Sequence, residues 1–188
     1  MIRVPASGQL RVVAGRYGGR RLRSPPGHTT RPTADRVREA LFALLGDVTG
    51  LSVLDLFAGS GALGIEALSR GAAGATFVDS GSQAVRAVRQ NLEALDLSRA
   101  VEVRRQDARA FLRNASARGR QYDLVLVDPP YRRAGGLAGD LSLLLPPVLA
   151  PRARVACESD RRAPLELALP VTHERRYGDT LIRIHEPR

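Results

Sequence analysis

Val53-Leu54-Asp55-Leu56-Phe57-Ala58-Gly59-Ser60-Gly61-Ala62-Leu63-Gly64 is the stretch that decides the fold. It begins as an apolar strand, breaks at a glycine turn and continues as a helix. The glycines let the backbone approach a ligand and let the helix pack closely on a sheet. Gly59 to Gly64 spells Gly-x-Gly-x-x-Gly, the fingerprint of dinucleotide-binding sheets, and Asp79 follows Gly59 by 20 residues, where that fingerprint wants an acid for ribose hydroxyls. Asp55 argues for a different ligand. A carboxylate inside the strand just before the turn repels a pyrophosphate and suits a molecule with a cationic end.

Outward from this stretch the chain alternates. Strands are predicted at 52–57, 75–79, 101–104, 122–127 and 153–158, with helices at 61–70, 82–95, 108–117 and 137–145 between them. Thr33 is expected to cap a preceding helix to about Leu45, whose Val37, Leu41, Phe42 and Leu45 share one face. Strand–helix repetition of this kind specifies an α/β doubly wound, mostly parallel sheet. Strands at 171–177 and 180–186, joined by Gly178-Asp179, close the chain as an antiparallel hairpin. At the other end, Leu10–Ala14 and Arg20–Arg23 are expected to pair across a glycine-rich turn.

Asp128-Pro129-Pro130-Tyr131 ends the apolar run Leu124–Val127. Two prolines fix φ, and the first holds Asp128 extended, so the strand stops in a rigid turn. The turn presents a carboxylate, a backbone carbonyl outside any helix ladder and an aromatic face. These suit a flat base with an exocyclic amine. Ligands of such sheets bind at the carboxyl ends of the strands, and Asp55, Asp79, Asp107 and Asp128 all fall there. Asp55 tips the cofactor reading from NAD to S-adenosylmethionine, whose methionine part carries an ammonium. Asp79 serves ribose hydroxyls under either reading. Asp107 also reads as a plain N-cap for the helix through Phe111.

Charge points to a polyanionic partner: net +10 with a pI near 11.2. All 29 basic residues are Arg, and residues 1 to 38 hold nine of them against a single acid, Asp35. Glycines and prolines interleave this run, which reads as a basic arm over residues 1–32 that grips phosphates, ahead of a catalytic domain over 33–188. Cys157 is alone, which leaves the redox compartment open but fits the cytosol, and His28, His173 and His185 lack ligand spacing, so no metal is expected. The longest apolar run, Leu143–Ala150, is too short and proline-broken to span a membrane.

Four segments together carry a family resemblance: Val13–Leu22, Arg31-Pro32-Thr33-Ala34-Asp35-Arg36-Val37-Arg38-Glu39 with its continuation to Phe42, Asp55–Gly71, and Asp128–Tyr131. The chain resembles the bacterial 16S rRNA guanine-N2 methyltransferases of the RsmD type over residues 10 to 188. The resemblance implies the seven-stranded, Rossmann-like methyltransferase sheet with a reversed last strand, and S-adenosylmethionine as cofactor. It implies a cytoplasmic, monomeric enzyme acting on 16S rRNA or the small ribosomal subunit. The implied cofactor residues are Asp55, Phe57, Ala58, Gly59, Ser60, Gly61, Gly64, Asp79, Ser80, Asp107, Ala108 and Asp128. Asp128, Pro129, Pro130 and Tyr131 are the implied catalytic set. Arg16, Arg20, Arg21, Arg23, Arg31 and Arg36 are the expected RNA contacts. Where such families often carry a second acid two residues beyond the ribose-binding one, this chain has Gly81. A methyltransferase acting on DNA adenine or a protein glutamine amide, and a dinucleotide-binding oxidoreductase, are the competing readings.

Overall fold

The computed structural model describes residues 10–25, 33–97, 99–130 and 134–187. Its elements are α1 (Thr33–Leu45), β1 (Ser52–Leu56), α2 (Ala62–Ser69), β2 (Gly74–Asp79), α3 (Ser82–Ala94), β3 (Val101–Arg105), α4 (Ala108–Ala117), β4 (Tyr122–Val127), α5 (Ala134–Leu144), β5 (Leu149–Asp160), β6 (Val171–Tyr177) and β7 (Thr180–His185). They build one seven-stranded sheet in the order β3-β2-β1-β4-β5-β7-β6. β1 to β5 run parallel, and β7 lies antiparallel to both β5 and β6. The strand order reverses between β1 and β4, so a crevice opens at their carboxyl ends.

Helices cover both faces, which is why Val53 to Leu56 of β1 and Leu124 to Val127 of β4 are buried without alternation and apolar but for Asp55. One face holds Val37, Leu41 and Phe42 of α1, Ile65 and Ala67 of α2, and Val88 and Leu92 of α3 against Leu124, Leu126 and Ile182. The other holds Phe111 and Leu112 of α4 and Leu137, Leu141 and Leu145 against Val125, Val127 and Val155. Each fully buried apolar side chain of this size contributes about 1.5–3 kcal/mol. Among the described residues, no helix is long and apolar enough to cross a membrane.

Two predicted elements begin at least three residues earlier than expected. The strand predicted at 153–158 runs Leu149–Asp160, because Leu149 pairs with Tyr122 before a register shift around Pro151 and Arg152, whose φ is 64°. The helix predicted at 137–145 starts at Ala134, its glycines having masked the helical signal. The capping role expected of Thr33 lies outside the described side chains.

Residues 10–25 fold back on themselves as predicted, though with minimal ladder: Arg11 bridges Arg21, and Leu22 N–H donates to the Leu10 carbonyl. Leu10, Val12 and Leu22 join the α1 core. The segment is fastened to the sheet's helices by buried polar groups. The Glu66 carboxylate of α2 accepts the N–H groups of Val13 (2.7 Å) and Ala14 (3.0 Å). Ser69 Oγ accepts Tyr17 N–H, and the Ser69 carbonyl accepts Arg16 N–H. Asn91 of α3 accepts Arg23 N–H at 2.7 Å and donates to the carbonyls of both Arg23 and Ser60.

Candidate active site

The carboxyl edge of the sheet gathers the acids. Asp55 sits on β1 opposite Leu126 of β4, and Asp128 follows β4 two residues further along. Asp79 ends β2, and Asp107 caps α4 just past β3. The turn after β1 begins with Phe57 at φ 63°, and its next N–H, from Ala58, donates to the Val78 carbonyl. The three fingerprint glycines then divide their work. A Cβ on Gly64 would lie 2.4 Å from the Phe77 ring and 3.0 Å from Asp55 Oδ2, so this glycine serves helix packing. One on Gly61 would crowd Val88 at 3.2 Å. Gly59, at φ +57°, has only the Phe57 carbonyl within 4 Å of that position among the described residues, so no packing against them requires this glycine.

Asp55 is buried, and its Oδ2 accepts the Gly64 N–H at 2.9 Å. Burial, reinforced by the Asp79 carboxylate, raises its pKa to about 8 despite that hydrogen bond. A carboxylate held this dry is costly without a counter-charge. Asp79 is half-buried and doubly anchored, Oδ2 accepting from Gly59 N–H (2.9 Å) and Oδ1 from Gly81 N–H (2.8 Å). Gly81 thus fixes the ribose candidate through its backbone. Ser80 beside it is exposed. Asp107 Oδ1 accepts the N–H groups of Arg109 and Ala110, and the buried Ala108 starts the helix. Burial pushes the Asp107 carboxyl up, but the Ala110 N–H and the Arg109 guanidinium hold it below its ordinary value. The cap reading holds, with one carboxylate oxygen left over.

Asp128 is of another kind. Burial, then the carboxylates of Glu158 and Asp55, raise it well above the usual range. Pro129 is buried behind it and Pro130 is exposed. Tyr131 and Arg31 lie outside the described residues. Glu158 of β5 was missed in the sequence. It is half-buried and raised by burial, with Arg38 opposing. The signal that found the other four acids, a carboxylate at a strand's carboxyl end, was present at Glu158 too. Cys157 is buried, its thiol pushed up to about 12, as befits a core residue.

The expected RNA-binding arginines that the structure describes lie on the segment fastened to α2 and α3 and on α1. Arg16, Arg20, Arg21 and Arg23 are exposed on the folded-back segment, and Arg36 is exposed on α1. Arg20 reaches the Ala94 carbonyl, and Arg16 stacks on Tyr17. Arg38, which as a charged helix residue reads as solvated, is instead buried. It bonds Asp35 at 2.9 Å and the Arg11 carbonyl, and its Nε, 3.6 Å from Glu66, has no hydrogen-bond partner among the described residues.

S-adenosylmethionine fits an edge that offers a dry carboxylate at Asp55, the Gly59 backbone and an anchored acid at Asp79. A dinucleotide does not, because Asp55 lies beneath the place a pyrophosphate would take.

Comparison with known proteins agrees. The family described as conserved hypothetical protein 95 matches residues 10–186. The ribosomal RNA small subunit methyltransferase D of Escherichia coli (strain K12) is 44% identical over 139 residues, covering 73% of this chain and 68% of that protein. YlbH of Bacillus subtilis (strain 168), provisionally named an rRNA methyltransferase, is 38% identical over 184 residues, 95% of this chain and 100% of that one. The solved structure of Escherichia coli yhhF superposes with a TM-score of 0.81 at 36% identity, over 96% of this chain and 99% of that one.

Proposed function

The chain belongs to the conserved hypothetical protein 95 family, which includes the RsmD-type enzymes, and on that premise we propose that it transfers a methyl group from S-adenosylmethionine to the exocyclic 2-amino group of a guanine in small-subunit (16S) rRNA. The observation that carries this reading is the buried Asp55 carboxylate, raised to about 8, at the foot of a rim that also holds Asp79 and Asp128. When bound, S-adenosylmethionine supplies a methyl group activated by its sulfonium. Asp55 holds the ammonium, Asp79 the ribose and Asp107 the adenine amine. Phe57, Ala58, Gly59, Ser60 and Gly61 line the cradle.

The guanine amine is a poor nucleophile because its lone pair is delocalised into the ring. Asp128 and the Pro129 carbonyl accept its two N–H groups and draw the nitrogen toward a pyramidal, nucleophilic geometry. The raised pKa of Asp128 suits a group that takes up the proton the amine loses. Pro130 stiffens the turn and Tyr131 stacks on the base. Positioning of this kind supplies about 7–11 kcal/mol of the barrier. The base is extruded from an unpaired region at modest cost. Arg16, Arg20, Arg21, Arg23, Arg31 and Arg36 hold the flanking backbone, with residues 1–32 as the gripping arm and 33–188 as the catalytic domain. The enzyme works as a cytoplasmic monomer on 16S rRNA or the small subunit.

The test is to map 2-methylguanine in ribosomal RNA from cells with and without this chain. One small-subunit guanine losing its methyl group in the deletion is the expected result, and an unchanged small-subunit map overturns the reading.

A further inference from the structure

β4 and β5 are parallel, with Leu126 beside Ala156 and Val127 beside Cys157. One more step along that register sets Asp128 beside Glu158, on strands about 4.8 Å apart. Val127 and Cys157 face the α4–α5 core, whereas Leu126 and Ala156 face the α1–α3 core. Alternation therefore turns Asp128 and Glu158 to the same side, the side that Asp55 shares through its register with Leu126. Arg38 of α1 bears on Glu158 from that side. Neither hydrogen bonds among the described residues nor the apolar core account for Glu158. The reaction does not call for it either, since Asp128 and the Pro129 carbonyl already serve both amine hydrogens.

A second carboxylate beside the first presents acceptors side by side. Guanine matches this, because its Watson–Crick edge offers the N1–H donor next to the 2-amino donors. Adenine does not, because the atom beside its amine is the N1 lone pair. Resting on the guanine reading above, we propose that Glu158 is a specificity-determining residue whose carboxylate accepts the N1–H of the target guanine while Asp128 holds the 2-amino group. Arg38 offsets part of the Glu158 charge before the base enters. The site thus reads the base by the edge it reacts on, and it rejects an amino-purine that brings a lone pair to Glu158.

The probe is 2-aminopurine, which keeps the 2-amino group and lacks N1–H. Small-subunit particles are reconstituted with 16S rRNA carrying either guanine or 2-aminopurine at the position the wild-type enzyme methylates. kcat/KM is then measured for wild type, Glu158→Gln and Glu158→Ala. Wild type should favour guanine by about 10²-fold or more, since a site built to accept a donor rejects an analogue without one. Glu158→Gln, whose amide can donate to the N1 lone pair, should shrink that ratio at least about tenfold, chiefly by gaining on 2-aminopurine. Glu158→Ala should lose on guanine alone. Because glutamine is nearly isosteric, it carries the test if alanine disturbs the fold, and binding of S-adenosylhomocysteine confirms that the cofactor half is intact. A ratio equal in wild type and Glu158→Gln, with guanine still methylated, overturns the Glu158 assignment by itself. A wild type that methylates no guanine of the particle overturns both readings.

Discussion

The two halves of the carboxyl edge are built differently. On the β1–β2 side every acid is tied to backbone: Gly64 N–H to Asp55, and Gly59 and Gly81 N–H to Asp79. On the β4–β5 side Asp128 and Glu158 have no hydrogen bond fixing either among the described residues; burial raises both, and the carboxylates of Glu158 and Asp55 raise Asp128 further. On our reading the first half is a socket preorganised for a cationic ligand. The second holds acceptors whose donors must come from outside. A ligand that is the same at every turnover can be met by preorganised groups, whereas a base extruded from RNA has to complete its own site.

Exchanging one side chain in each half is the strongest way to break this comparison. Asp128→Ala should lower turnover by about 10²–10⁴ while the affinity for S-adenosylhomocysteine, followed by calorimetry, stays nearly constant. A large loss of that affinity would mean that Asp128 belongs to the socket. Asp55→Asn should do the reverse, weakening S-adenosylhomocysteine about 10- to 100-fold. Its pH dependence sharpens the point. With the folded pKa near 8 against 3.8 unfolded, Asp55 is protonated across most of that window, so the unliganded fold weakens as pH rises through it. A cationic ligand needs the ionised form, so wild-type affinity should climb from pH 6 to 8, by at most about tenfold per unit. Asp55→Asn should be flat, and a flat wild type would remove Asp55 from the ammonium.

Much of this was legible in the sequence because it is local. Asp55 and Asp128 announce themselves within a few residues of their turns, and the glycine stretch names the strand–turn–helix that positions them. Glu158 ends the strand predicted at 153–158 and so carried the same strand-end signal, but no glycine or proline turn follows it at once to single it out. Its meaning depends on β5 lying beside β4, and on a strand that runs on past it to Asp160. The fastening of the basic segment was equally hidden, since Glu66, Ser69 and Asn91 reach it across 52 to 68 residues of chain. Polar residues on a helix read as solvated until the fold shows what lies over them.

That fastening bears on the third test. Arg16 and Arg20 are fastened at the C-terminal ends of α2 and α3, through the Ser69 and Ala94 carbonyls, so their removal should leave both halves of the edge intact. Replacing Arg16, Arg20 and Arg21 together with glutamine should weaken RNA binding several-fold to tenfold. The slope of log affinity against log salt should flatten by about 0.7 for each phosphate that is no longer neutralised. S-adenosylhomocysteine binding should hold, and an unchanged salt slope would take the arm out of the interface.

The smallest effect concerns the one acid whose oxygens are divided between two tasks. Asp107 spends Oδ1 on the N–H groups of Arg109 and Ala110, an N-cap of the ordinary kind. If capping is its whole work, asparagine replaces it without loss, because asparagine caps as well as aspartate; alanine costs about 1 kcal/mol, roughly 3 °C in Tm. If its other oxygen also accepts the adenine amine, asparagine turns that acceptor into a donor, and S-adenosylhomocysteine weakens a few-fold with Tm unmoved. We expect the second pattern. It would add Asp107 to the preorganised half, as a residue whose cap orients the very oxygen the cofactor uses. Equal affinity in Asp107→Asn and wild type would leave the socket resting on Asp55 and Asp79.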